Sequence, residues 1–265
     1  MSRKTTRIGF IGYGQIGKAV RRMIDADPDN GMELVFVHDQ DSSRYADLPE
    51  ELVLPNLGDF AERKPDLVVE MAHKEVTREW GAVLLESVDY MLVSVTALAE
   101  REIEASLREA TKRHGTRAYV PHGGVVGMDA LFENRDVWEE VRVIMKKAPK
   151  NIDFGNTDID PDTINGEMTV YEGPTRDICP VFPRNVNTHA AIAFAGIGFD
   201  RTQSTLVVNP EWNTAVVELE ARGPGLDLKV ARTEGITGVT GASTPASIFN
   251  SVQTIASTGS GIHLR

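Results

Sequence analysis

Gly12, Gly14 and Gly17 fall in the pattern G-x-G-x-x-G within GFIGYGQIGKAV, directly after an apolar run and at the opening of a helix-period segment. That spacing suits a dinucleotide pyrophosphate. The first glycine allows a tight turn, the second lets the backbone approach the phosphates, and the third permits close helix–strand packing, while the helix N-terminus attracts negative charge. The next apolar run, ELVFVHD, ends in Asp39, 22 residues after Gly17, where a carboxylate is expected to meet the ribose hydroxyls. Asp39 would repel a 2′-phosphate and so favours NAD over NADP, with NADP kept open by Arg44 a few residues on.

Proton transfer calls for a group that titrates near working pH, and neutral imidazole meets that need. Two of the six histidines, His73 and His122, follow the carboxyl ends of strand-like runs, the region where open α/β sheets bind ligands. A third, His189, lies in FPRNVNTHAAIAFAGIG, Phe182–Gly198, beside Asn187. Asn187 is expected to cap the helix that follows, and capping is compatible with ligand contact because a helix N-terminus already presents donors. His38 precedes Asp39, His114 ends a charged helix, and His263 lies near the last residue. Cys179 is the single cysteine, so no intrachain disulfide can form and no zinc-ligand spacing exists; it reads as a buried, inert thiol. Asp129 in GMDAL reads as a turn or cap acid.

These residues need elements to position them. From Arg7 to about Val120, apolar runs (RIGFIG, ELVFVHD, DLVVEMA, YMLVSVTA, RAYVPHG) alternate with helix-period segments near 15–26, 75–87 and 99–114. That is the signature of parallel βαβ units buried on both faces. After Pro121 the runs VRVIMKK, STLVVNP, TAVVELEARG and DLKVARTEG alternate apolar with polar, and two helices are expected, near 175–181 and 187–197. The fold class expected is therefore α/β: residues 1–120 form a doubly wound parallel sheet that binds NAD(P), and 121–243 form an α+β domain on a mostly antiparallel sheet. In the stretch 244–265, Thr244 is the expected N-cap, Pro245 the first helical residue, and the helix is expected to return to the first domain.

With 28 Lys plus Arg against 39 Asp plus Glu, the net charge of −11 argues against nucleic acid as a partner. No apolar stretch approaches the roughly 18 residues of a membrane span. A cytoplasmic protein with a small-molecule substrate is expected.

The fingerprint, together with VVEMAHKEV, YVPHGGVVGMDAL, MKKAP and VFPRNVNTHAAIAFAG, resembles the L-aspartate dehydrogenase family, a relative of the dihydrodipicolinate-reductase-like dehydrogenases, over almost the whole chain. The resemblance implies a Rossmann domain, a second domain that holds substrate and mediates a homodimer, and hydride transfer between the Cα of aspartate and nicotinamide. It implies cofactor contacts from Gly12, Gly14, Gln15, Ile16 and Gly17, from Ala72 and His73, from Gly124, and from Asn187. It also makes Lys147 and Arg184, with Lys146 as a further candidate, the cations for a dicarboxylate. One departure stands out: the family's catalytic histidine, in an Asn-x-His motif, corresponds to Ala215 in NPEWNTAVVELE, and the usual lysine before the last helix is absent from GASTPAS. His122 or His189, with Asn187, is then expected to take over the proton chemistry. Three readings follow: oxidation of aspartate, action on another small amino or oxo acid or imine, or dinucleotide binding without turnover.

Overall fold

The computed structural model describes residues 5–237 and 240–256. They form two compact units: the first from Met1–Val93, Leu107–Pro121 and Pro245–Arg265, the second from Ser94–Ser106 and His122–Thr244. His263 and the stretch 257–265 lie outside the described residues.

The first unit holds β1 (Thr6–Ile11), α1 (Gln15–Asp25), β2 (Met32–His38), β3 (Leu67–Glu70), α2 (Lys74–Leu84), β4 (Asp89–Leu92), the latter part of α3 (Arg101–His114) and β5 (Ala118–Tyr119). The strands form one parallel sheet in the order β2-β1-β3-β4-β5. All four residues of β3 and the last four of β1 are buried, as expected of parallel strands covered on both faces. The helix expected from residue 99 begins at Arg101, because Val95–Ala99 winds as a 3₁₀ turn.

In the second unit the chain runs through α4 (Met128–Glu133), β6 (Glu140–Lys147), β7 (Met168–Pro174), α5 (Thr175–Val181), α6 (Asn187–Ala195), β8 (Gln203–Val208), β9 (Thr214–Gly223), β10 (Leu226–Thr237) and β11 (Thr240–Gly241). The sheet order is β11-β10-β9-β6-β8-β7, antiparallel throughout except for the parallel pair β6–β8. Three elements, α4, β7 and the two-residue β11, go beyond the sequence expectation. α4 is too short for a helical period to register, and β7 is a largely exposed strand whose register shifts between Thr169 and Tyr171.

Burial alternates along β6 and β9, turning Val141, Val143, Met145 and Lys147 to the same side as Ala215, Val217, Leu219 and Ala221. α6, buried at His189 and at every apolar residue from Ala190 to Ala193, packs against β6. A helix apolar nearly all round belongs in a core. The last helix, α7 (Thr244–Ala256), adds Ile248, Val252 and Ala256 to the cluster of Ile8, Phe10, Val20 and Val69 in the first unit.

Candidate active site

In the first unit the glycine turn has the shape the spacing demands. Gly12 sits at φ +96°, and a Cβ there would stand 2.7 Å from the backbone of Met71; a Cβ at Gly17 would stand 2.6 Å from the carbonyl oxygen of Gly12. Both positions exclude any side chain. At Gly14 the demand differs: the nearest atom to an added Cβ is Arg44 Nη1 at 3.5 Å, so the space above this residue is open. No side chain caps the N-terminus of α1, with Gln15 exposed and Ile16 packed toward the core. An open turn over an uncapped helix start fits a pyrophosphate.

Beside it lies a cavity of about 420 Å³ walled by Ile11, Gly12, His38, Asp39, Arg44, Leu57, Ala72, His73, Val76 and Trp80. That is ample for a ligand fragment the size of a nucleoside. Asp39 is fixed rather than free. Its Oδ2 accepts the Tyr13 N–H at 2.7 Å and a bond from Arg44 Nη1 at 3.1 Å, and its Oδ1 accepts the Asp41 N–H at 2.9 Å. Arg44 also pairs with Asp41 at 3.3 Å. His73 caps α2, its Nδ1 accepting the Glu75 N–H at 3.4 Å, and the Ala72 N–H donates to Glu70 Oε1 at 2.7 Å.

The second unit carries a separate buried polar cluster. The β9–β10 register sets Glu234 opposite Ala215 and Arg232 opposite Val217. The β6–β9 register sets Lys146 opposite Val216, so one step on Lys147 falls beside Ala215. Opposed residues share a sheet face, which puts Lys147, Ala215, Glu234 and Arg232 on one side. Lys146 points the other way, to Glu218 at 2.6 Å. Lys147 is only 5% exposed. Burial lowers its ammonium pKa to about 8, and the Arg232 charge pushes the same way against the opposing field of Glu234. Arg232 Nη2 donates to Glu234 Oε1 at 2.5 Å, and Glu234 Oε2 accepts Ser243 N–H and Oγ–H at 2.9 and 2.7 Å.

His189 is wholly buried, and neither ring nitrogen has a hydrogen-bond partner among the described residues. Burial, with the Lys147 charge behind it, drives its pKa down to about 3, so the ring stays neutral. His122 is exposed on the loop before α4, its Nε2 3.3 Å from Asp129 Oδ1. Gly124 on the same loop has φ +83°, and a Cβ there would stand 2.7 Å from Arg232 Nη1.

Asn187 does not cap α6: it is the first helical residue, after Val186, and its Oδ1 accepts the Thr96 N–H at 3.2 Å. Arg184 is 60% exposed and pairs with Asp153 at 3.3 Å. Sequence reasoning missed Arg232, Glu234, Ser243 and Thr96. The available signal was the alternation in DLKVARTEG, which puts 232 and 234 on one strand face.

Residues 129–255 match the family model described as aspartate dehydrogenase, C-terminal, and residues 12–121 match that of the homoserine dehydrogenase NAD-binding domain. An aspartate dehydrogenase domain-containing protein from Xenopus tropicalis is 33% identical over 264 residues, 93% of each chain. The chain belongs to the aspartate dehydrogenase family. L-aspartate dehydrogenase 2 of Bordetella pertussis is likewise 33% identical, over 83% of this chain and 84% of its own. The crystal structure of aspartate dehydrogenase from Thermotoga maritima shares the fold with a TM-score of 0.74 at 22% identity, covering 97% of this chain and 99% of that one. For this member of the aspartate dehydrogenase family, the dinucleotide cofactor is NAD or NADP.

Proposed function

We propose that the protein is an NAD(P)-dependent dehydrogenase interconverting L-aspartate and iminosuccinate, the imine that hydrolyses to oxaloacetate and ammonia. The observation that carries this reading is Lys147, an ammonium buried to 5% exposure on the same sheet face as Ala215 and Glu234. A buried ammonium on this face gives a substrate carboxylate a charged partner away from competing water. Arg184, exposed and already paired, contributes only to the field that draws an acid inward.

When bound, the nicotinamide ring accepts or returns the hydride of the substrate Cα. Gly12, Gly14 and Gly17, with the start of α1 at Gln15 and Ile16, hold its pyrophosphate. Asp41, Asp39, Glu75 and Glu79 face the adenosine cavity against the single guanidinium of Arg44, so a 2′-phosphate meets repulsion and NAD is preferred. Ala72 and His73 close the cavity at the β3 end, and Gly124 and Asn187 supply further cofactor contacts.

We assign proton transfer to His122. Asp129 Oδ1 at 3.3 Å orients its ring. His189, held neutral, offers a hydrogen bond to the reacting nitrogen without carrying charge, and Asn187, two residues before it, ties the Thr96 backbone to the start of α6 through its Oδ1. We also read the enzyme as cytoplasmic, on its single cysteine, and as a homodimer, on the family resemblance and the exposed apolar side chains Val126, Phe132 and Val137; elution as a 29.1 kDa monomer would refute the dimer. No described helix is long and apolar enough to cross a membrane.

NADH oxidation with ammonia and a panel of 2-oxo acids, repeated with NADPH, tests the reading. Turnover with oxaloacetate is expected, faster with NADH. Turnover confined to a monocarboxylic oxo acid, or NADH binding with no turnover at all, overturns it. Replacing His122 by Ala should lower kcat about 100-fold or more.

A further inference from the structure

The second unit holds a buried guanidinium, that of Arg232, with donors left unmet among the described residues. Arg232 makes a single ion pair, through Nη2 to Glu234, while its Nε and Nη1 are out of solvent and have no acceptor among the described residues. Glu234 is fully engaged: one oxygen takes Arg232, the other both donors of Ser243. The same buried face carries Lys147, and the neutral His189 ring adds two more nitrogens with no hydrogen-bond partner among the described residues. Folded proteins rarely leave guanidinium N–H groups buried and unmet, because each forfeits its hydration without return. An anion able to accept N–H bonds would satisfy both donors.

Gly124 lies against the same guanidinium. Even a methyl group at this residue would press to 2.7 Å on Arg232 Nη1 and 2.8 Å on Ser243 Oγ, so the loop passes close over the guanidinium without a side chain between them. We infer that Arg232, oriented by Glu234 and Ser243, is the receptor for a substrate carboxylate additional to the one met by Lys147, and is therefore what makes the pocket select a dicarboxylic acid. The inference rests on the reading of this cluster as the substrate site. A guanidinium is the better partner for a carboxylate than an ammonium, since it presents fixed donors in a plane. The same pairing rejects the amide analogue, which would bury its NH₂ group against N–H donors.

Two measurements on the full-length protein test this. Succinate, which has both carboxylates and no reacting amine, is titrated calorimetrically into wild type and Arg232→Gln in the presence of NADH, and kcat/KM is compared for aspartate and asparagine. Arg232→Gln should weaken succinate binding roughly 100-fold, leave NADH affinity unchanged, and collapse the preference for aspartate over asparagine by a similar factor through KM. Arg232→Lys should recover part of the succinate affinity, a rescue that a purely structural role would not produce, and it carries the test if the glutamine variant fails to fold. Unchanged succinate binding and an unchanged aspartate-to-asparagine ratio in the variants overturn the inference, even if wild type turns over aspartate. Conversely, Arg232-dependent succinate binding in a wild type that turns over no amino acid would sustain the inference and sink the proposed reaction.

Discussion

Replacing Lys147 by methionine should stabilise the fold near neutral pH while abolishing activity toward acids. In the native protein burial brings the ammonium pKa from 10.5 down to about 8. At about 1.4 kcal/mol per pKa unit, holding that charge at pH 7 costs about 3 kcal/mol. Methionine fills similar space without the charge but forfeits the hydrogen bonding of the ammonium, a loss of about 1.5 kcal/mol. The net expected gain is about 2 kcal/mol at pH 7, or roughly 4–8 °C in Tm for a chain of this size. The sign reverses with pH in a defined window. Between pH 8 and 10.5 the unfolded chain binds the proton that the native amine has shed, so wild-type stability rises with pH there and the penalty is gone above 10.5. Urea unfolding of both proteins, followed by circular dichroism at pH 7 and pH 9.5, should show a gap that closes at the higher pH. A methionine variant less stable than wild type at pH 7, or a gap independent of pH, refutes the argument. In the same variant kcat/KM for aspartate should fall at least 100-fold, because a buried substrate carboxylate would be left unpaired.

His189, neutral in the fold with its pKa near 3 against 6.5 in the unfolded chain, should make the protein acid-labile. The unfolded state binds the extra proton between those values, so stability falls as pH drops from 6.5 toward 3, and His189→Phe should flatten that part of a urea-midpoint profile. At Gly12 an alanine would combine a φ of +96° with a contact of 2.7 Å to the Met71 backbone. A strain of about 1–3 kcal/mol at the phosphate turn is expected, read as a rise of roughly 5- to 150-fold in the NADH Kd by fluorescence titration with succinate affinity untouched.

The first sheet was legible because parallel strands covered on both faces must be near-continuous apolar runs, and RIGFI and LVVE are such runs. The alternation in TAVVELEARG likewise revealed β9. β7 escaped because an exposed edge strand with a shifted register buries no repeating face, and the capping role foreseen for Asn187 went to nothing because its side chain is drawn to Thr96, ninety-one positions earlier. The same limit applied to the polar cluster. Lys147 was reached only through the family resemblance, and Arg232 and Glu234 look like ordinary surface charges until the sheet register sets them opposite Val217 and Ala215. Long-range pairing, which local spacing cannot encode, decided the site.

The return of α7 to the first unit has a consequence for synthesis. Ile8, Phe10 and Val69 emerge from the ribosome early, yet Ile248, Val252 and Ala256, which complete their cluster, emerge almost last. The first unit therefore waits, its apolar surface incomplete, while the residues of the second, made later but contiguous from His122 to Thr244 apart from one earlier segment, are already free to pair their strands. The first core cannot close until nearly the whole chain is made, and a chain released before residue 248 would carry it open.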